Sequence, residues 1–283
     1  MTIDNFAIHL GPVSLSFFGL ILIIGLLAGA FLAAWMARRR EENPEHVWDG
    51  LTWALLLGIA MARLFYILNP PPSAVAQGYT AQWYIMHPFN LADGPLAIWH
   101  GGLSQAGALL GGGLGAWLYA LRRKLNVRKW ADIVIPGVLL GLAIAGWANV
   151  LAQQMYGPPT ELPWGISIAM GEDINRRVAP YDDPSLFPAE THFHPTPAYL
   201  ALWGLLCLGV VLLVRARFGK ALRDSDLFLI GALVYAPGLF LADFLRVDVS
   251  KVILGLTGAQ ILAILVFGTV LVAFVRRRWK QET

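Results

Sequence analysis

Leu55-Leu56-Leu57-Gly58-Ile59-Ala60-Met61-Ala62-Arg63-Leu64-Phe65-Tyr66-Ile67-Leu68 is an unbroken apolar run with a single cation set into it. A helix of roughly 20 apolar residues spans a bilayer, and this run, read back to residue 47, has that length. A guanidinium at such depth costs about 2.5–3.5 kcal/mol on insertion scales. It therefore faces a protein interior or an aqueous cavity, and it marks function. Leu239-Phe240-Leu241-Ala242-Asp243-Phe244-Leu245-Arg246 repeats the pattern, with Arg246 closing a second apolar run. Two such arginines point to an integral membrane protein that holds something anionic.

Composition agrees. Hydrophobic residues make up 57% of the 283-residue chain and charged residues only 14%. The mean hydropathy is +0.59. Both lie far from a soluble domain. The 11 tryptophans suit interfacial anchoring. Cys207, the one cysteine, sits in an apolar run, so no intramolecular disulfide forms and the thiol reads as packing.

Seven segments are long enough to span: 13–36, 47–68, 98–121, 131–151, 197–214, 226–245 and 252–275. The first is not a signal peptide, because its arginines follow it rather than precede it. The expected fold is an all-α integral membrane protein with seven transmembrane helices and an extracytoplasmic loop cap. No linker or repeat divides the chain, so 1–283 reads as a single polytopic domain. Sixteen of the 21 Lys and Arg fall in 37–46, 122–130, 215–225 and 276–283. The positive-inside rule puts those segments in the cytoplasm, with the N-terminus outside and the C-terminus inside. Topology thus accounts for the basic charge, and no nucleic-acid partner is expected. The long connections 69–97 and 152–196 fall outside and carry most of the 17 prolines.

Polar exceptions gather at the outer ends of the spans. Trp99-His100-Gly101-Gly102-Leu103-Ser104 opens the third, where glycines permit close approach. Asn149, Gln153 and Gln154 end the fourth; these amides need partners, either another helix or a polar headgroup. His192 and His194 precede the fifth, but without a clear third ligand they do not read as a metal site. Tyr235, Asp243 and Arg246 lie on or at the end of the sixth, with Asp243 and Arg246 spaced to pair on one helix face. The economical reading is an outer-leaflet site for an amphiphile with an anionic head.

In order along the chain, these pieces resemble the prolipoprotein diacylglyceryl transferase family. They are Ala62-Arg63-Leu64-Phe65-Tyr66, Trp99-His100-Gly101-Gly102-Leu103, Tyr156-Gly157 through Leu162-Pro163-Trp164-Gly165, His194-Pro195-Thr196 with Tyr199, Phe244-Leu245-Arg246 with Asp248, and Gly258-Ala259-Gln260-Ile261-Leu262. The resemblance implies a bacterial inner-membrane enzyme without metal or cofactor. Its substrates would be phosphatidylglycerol, a membrane lipid, and a preprolipoprotein signal peptide. The diacylglyceryl group would move to the lipobox cysteine thiol.

Several positions depart from the family's pattern. Gly146 stands for an arginine, Ala152 for an asparagine, Gln154 for a glutamate, Ala106 for a histidine and Leu239 for a second arginine; Asp243 shortens an acid. The chemistry needs a base for the thiol and cations for the departing phosphate. The candidates that remain are His100, His194, Tyr235 and Asp243 as catalytic groups, and Arg63, Ser104, Asn149, Gln154 and Arg246 as substrate-binding groups. The expectation is a diacylglyceryl transferase. The alternatives are a non-catalytic homologue that binds anionic lipid or lipobox peptide, and a transporter, which internal repeats would favour and which are not seen.

Overall fold

A computed structural model describes residues 2–3, 7–10, 13–97, 102–170, 176–249 and 251–279, with only the backbone described at 2–15, 72–73 and 277–279. In order the elements are β1 (Thr2–Ile3), β2 (Ala7–Leu10), β3 (Val13–Ser16), α1 (Phe17–Arg38), α2 (Glu45–Leu68), α3 (Pro72–Ala76), α4 (Ala81–Met86) and α5 (Gln105–Arg122). There follow α6 (Val127–Leu151), β4 (Ile166–Ser167), β5 (His192–Phe193), α7 (Thr196–Phe218), α8 (Asp226–Asp243), β6 (Lys251–Ile253), β7 (Leu256–Thr257) and α9 (Gly258–Trp279).

The protein is all-α in its bulk. Among the described residues, six helices are long and apolar enough to cross a membrane: α1, α2, α6, α7, α8 and the Gly258–Arg276 part of α9. Large apolar side chains face outward along them. Phe31 is 62% exposed, Leu56 63%, Leu213 65% and Leu241 64%, which only a hydrocarbon surround accommodates. The seventh expected span, α5, has 18 residues and is rich in glycine, and it does not reach that apolarity.

Several span edges differ from the sequence-based expectation, each for a local reason. Residues 13–16 form β3 of an antiparallel meander with β2. In the third segment α5 begins at Gln105, because Gly102 takes φ +70 and Ser104 then caps the helix, its Oγ accepting from the Gly107 N–H at 3.4 Å. Residues 252–257 form a β6–β7 hairpin instead of helix. Leu254 and Gly255 turn it with φ +53 and +76, the doubly positive geometry that matches strand twist.

Two compact units can be distinguished. Unit 1 comprises residues 1–33, 131–249 and 259–283. Its α7–α8 core gathers Ile135, Leu139, Cys207, Val211 and Leu227, with Tyr235 packed against them. Asp132, almost wholly buried, accepts from the N–H groups of Ser225 and Phe228 at 2.9 Å each and so caps α8 from α6. Unit 2 comprises residues 34–130 and 250–258. Its axis is the α2–α5 pair. A Cβ on Gly107, Gly111 or Gly115 would strike the carbonyls of Met61, Leu57 or Trp53 respectively, so the glycine face of α5 lies directly on the α2 backbone.

Candidate functional site

In unit 1, the end of α6, the head of α7 and the end of α8 come together through backbone hydrogen bonds. The Gly157 N–H donates to His194 O at 2.8 Å, His194 N–H to Pro158 O at 3.1 Å, and Val247 N–H to Tyr156 O at 3.2 Å. Gly157 is the closest point of approach. A Cβ there would sit 2.8 Å from His194 Cβ and 2.9 Å from both Leu245 O and Thr196 Oγ1. The Tyr-Gly, His-Pro-Thr and Phe-Leu-Arg segments, distant in sequence, therefore share one locus.

At this locus Arg246 is held by two carboxylates. Its Nη1 donates to Asp243 Oδ1 and its Nε to Asp248 Oδ1, each at 3.0 Å. The Asp243 side chain is only 2% exposed and that of Arg246 14%, so water screens the pair little. The second oxygen of Asp248 accepts the Met155 N–H at 3.1 Å. Met155 has φ +59, so this carboxylate stabilises a strained turn just beyond α6.

His194 and Tyr199 lie one turn apart at the start of α7, with His194 Nδ1 3.0 Å from Tyr199 Oη. Trp164 Nε1 donates to the same hydroxyl at 2.9 Å. The ring nitrogen left for chemistry is therefore Nε2. It carries a lone pair when Nδ1–H donates to Tyr199, and a donor N–H when Tyr199 donates to Nδ1. Thr196, wholly buried between these groups, has an Oγ1 that finds no partner among the described residues.

The loop between α6 and α7 is pinned by Arg177, which is 5% exposed. Its Nε donates to Ile168 O at 3.1 Å, Nη1 to Phe187 O at 2.8 Å and Pro188 O at 3.0 Å, and Nη2 to Ala189 O at 2.8 Å. The guanidinium also lies 5.0 Å over the Phe193 ring. Tyr156 completes the pin by accepting the Val178 N–H at 2.7 Å. Burial, the largest cause, raises its phenol pKa above 10.0, although the Val178 bond acts the other way.

In unit 2, Arg63 is 7% exposed. Its Nε donates to Pro95 O at 2.9 Å, Nη1 to Gly102 O at 3.0 Å and Nη2 to Gly94 O at 2.8 Å. The guanidinium lies 5.4 Å from the Tyr66 ring centroid and 5.6 Å from that of Tyr84. Arg63 thus gathers both ends of the segment that contains His100. His100 itself lies outside the described residues. Ser104 serves as the α5 cap and its N–H donates to Ala62 O at 3.0 Å.

Other sequence candidates occupy plainer settings. Asn149 Nδ2 donates back to Ala145 O at 2.9 Å, Gln154 is exposed, and Tyr235 packs on the apolar core of α7 and α8. Gln260, 1% exposed, donates to Phe240 O at 3.5 Å. Sequence reasoning missed Arg177, Trp164 and the double role of Asp248. Trp164 carried a signal, as an aromatic donor inside Leu-Pro-Trp-Gly; Arg177 sat in the connection 152–196, where nothing marked it as buried. Among the described residues no group of three His, Cys, Asp or Glu could hold a metal ion.

The departures from the family's pattern are built into the packing. A Cβ on Gly146 would lie 2.8 Å from both Pro197 O and Ala201 Cβ, so α7 fills the space that a side chain would need. Leu239 packs against Met155, Leu200 and Ala242.

Residues 5–276 match the family model described as prolipoprotein diacylglyceryl transferase. Among similar proteins, the phosphatidylglycerol–prolipoprotein diacylglyceryl transferase of Chloroflexus aggregans is 34% identical over 84% of this chain and 74% of its own length. The same-named protein of Gloeobacter violaceus is 32% identical over 97% of this chain and 94% of its own. That of Frankia alni is 33% identical over 96% of this chain and 66% of its own.

Proposed function

We propose, because this chain belongs to the prolipoprotein diacylglyceryl transferase family, that it moves the diacylglyceryl group of phosphatidylglycerol onto a prolipoprotein cysteine. The observation that carries the reading is the Gly157 locus. There three of the family-like segments meet around an arginine, a histidine and a buried hydroxyl.

The chemistry asks little of the protein beyond a base, charge and positioning. The thiol of the lipobox cysteine gives up its proton, and the thiolate attacks the lipid glycerol carbon bonded to phosphate. The S–C bond forms as the C–O bond breaks, and glycerol phosphate leaves with the electron pair. His194, with Nδ1 held at Tyr199, takes the thiol proton on Nε2. His100 is the second candidate base. Arg246 supplies positive charge for the phosphate, and Asp243 and Asp248 fix its position. Arg63 adds charge from its carbonyl cradle and orders the segment around His100. Ser104, Asn149 and Gln154 contact the polar parts of the substrates. Tyr235 is the weakest member of the set, because its ring packs among apolar side chains.

The protein is a multi-pass membrane protein. We place it in the bacterial inner membrane, with the N-terminus outside, the C-terminus in the cytoplasm and α5 as the seventh span, which the distribution of basic residues supports. On this reading 1–283 works as one domain, and the second substrate is the lipobox of a signal peptide. A homologue that binds anionic lipid or lipobox peptide without turnover is the competing reading. It draws on Gly146, where α7 closes the space for an arginine. Expression in a bacterial strain depleted of its own transferase separates the two. Restored growth and lipoprotein modification support the transferase; no restoration from a well-inserted protein supports the binding homologue.

A further inference from the structure

Away from the groups assigned to catalysis, unit 2 contains a cavity of about 370 Å³ where α2 begins and α5 ends. Asp49, Thr52, Trp53, Tyr119, Arg122 and Arg123 line it. The two consecutive arginines are parked apart on different side chains. The Arg122 guanidinium lies 4.8 Å over the Trp53 ring. That of Arg123 lies 5.8 Å over the Tyr119 ring, with Nη2 3.6 Å from Asp49 Oδ2. The wall behind them is fixed. Tyr119, 4% exposed, donates its hydroxyl to Asp49 Oδ2 at 2.9 Å, which leaves its oxygen to accept from His46 Nδ1 at 2.8 Å. His46 in turn stands edge-on to Trp130, 5.6 Å between ring centroids.

We propose that this cavity binds the phosphodiester headgroup of an anionic lipid in the leaflet facing the basic hairpins. Two arginines and one aspartate leave the lining with a single net positive charge. A phosphodiester carries one negative charge, so lipid and cavity neutralise each other, and guanidinium groups match phosphate oxygens in pairs. The cation–aromatic contacts hold both guanidinium groups in place, which lowers the entropic cost of closing on a phosphate. The flanks favour a lipid over an acidic peptide. Leu56, one turn deeper on α2, is 63% exposed, and Trp117 and Leu121 on α5 are each 48% exposed. The two helices that carry the charged mouth thus also present apolar surface to hydrocarbon, as acyl chains require. The cavity binds its lipid whether or not the chain turns over.

The test titrates the full-length protein, stripped of lipid in detergent, with short-chain phosphatidylglycerol, matched phosphatidylcholine and soluble glycerophosphoglycerol, counting bound molecules by native mass spectrometry. The wild type should hold a phosphatidylglycerol that the Arg122→Gln/Arg123→Gln variant binds about tenfold more weakly or loses. Asp243→Asn/Arg246→Gln, which removes the proposed phosphate cation without stranding a buried carboxylate, should keep it, which separates this lipid from one held as substrate. Arg122→Lys/Arg123→Lys should recover part of the affinity, which excludes misfolding as the cause. Equal competition by glycerophosphoglycerol would retain the phosphodiester site but give it a soluble occupant. Equal binding of phosphatidylcholine, or unchanged phosphatidylglycerol binding by the glutamine variant, would overturn the proposal.

Discussion

Arg246 and Asp243 form a 3.0 Å ion pair one turn apart at the end of α8, with the carboxylate 2% exposed. Such a pair, with Asp248 on the other side of the guanidinium, is worth more in its breaking than in its making. Arg246→Leu strands a buried carboxylate and should cost about 3–5 kcal/mol. The Asp243→Leu/Arg246→Leu double variant should recover most of that stability, because the buried carboxylate goes with its partner, while the more exposed Asp248 keeps its bond from the Met155 N–H. Thermal unfolding in detergent reads both. A stabilised double variant that fails to turn over would assign Arg246 to the phosphate as well as to the fold.

The seam at Gly146 gives a second expectation. Restoring the arginine of the family pattern should not raise activity. Gly146→Arg must force α7 away at Pro197 and Ala201, and even Gly146→Ala should cost about 1–3 kcal/mol as overpacking. Expression level and melting temperature of the two variants, measured beside activity, check this. A stable and faster Gly146→Arg protein would mean that the seam is loose.

Tyr156 makes the loop between α6 and α7 sensitive to alkali. Its folded-state pKa is raised by burial above the ordinary 10.0. Its contribution to stability is therefore complete below that value and is lost as pH climbs through it toward the folded pKa. Protease cleavage of the loop around Val178 should accelerate above pH 10.0 in the wild type. Tyr156→Phe should remove that alkaline limb. At neutral pH it should cost about 1 kcal/mol instead, because the part-buried Val178 N–H loses its acceptor.

Hydrophobic run length revealed most of the architecture, because a bilayer fixes how long an apolar helix must be. Edges were legible only where chemistry punctuated them. Ser104 was read as a polar group inside a span, and the positive φ of Gly102 that ends the loop before it is not visible in a run of glycines. Of the two arginines singled out, Arg63 is buried and Arg246 partly so, but their partners were not foreseeable. Arg63 reaches carbonyls 31 to 39 residues away, and that geometry exists only after α2 and α5 have packed. Gly146 looked like a missing side chain; the structure shows a helix contact in its place. Arg177 gave no signal because any cation in a polar loop passes for a solvated one, and burial by four carbonyl contacts is a tertiary fact.

The decisive measurement is diacylglyceryl transfer by the purified protein in phosphatidylglycerol-containing vesicles, followed as the mass gain of a lipobox peptide. The wild type should modify the cysteine and release glycerol phosphate. His194→Asn should lower the rate about 10²–10⁴-fold, as loss of a general base does. Tyr199→Phe, which removes the hydroxyl that holds His194 Nδ1, should slow it about tenfold, the equivalent of one lost hydrogen bond. A folded wild-type protein that binds the lipid and the peptide yet leaves the thiol unmodified would contradict the assignment of the Gly157 locus to catalysis.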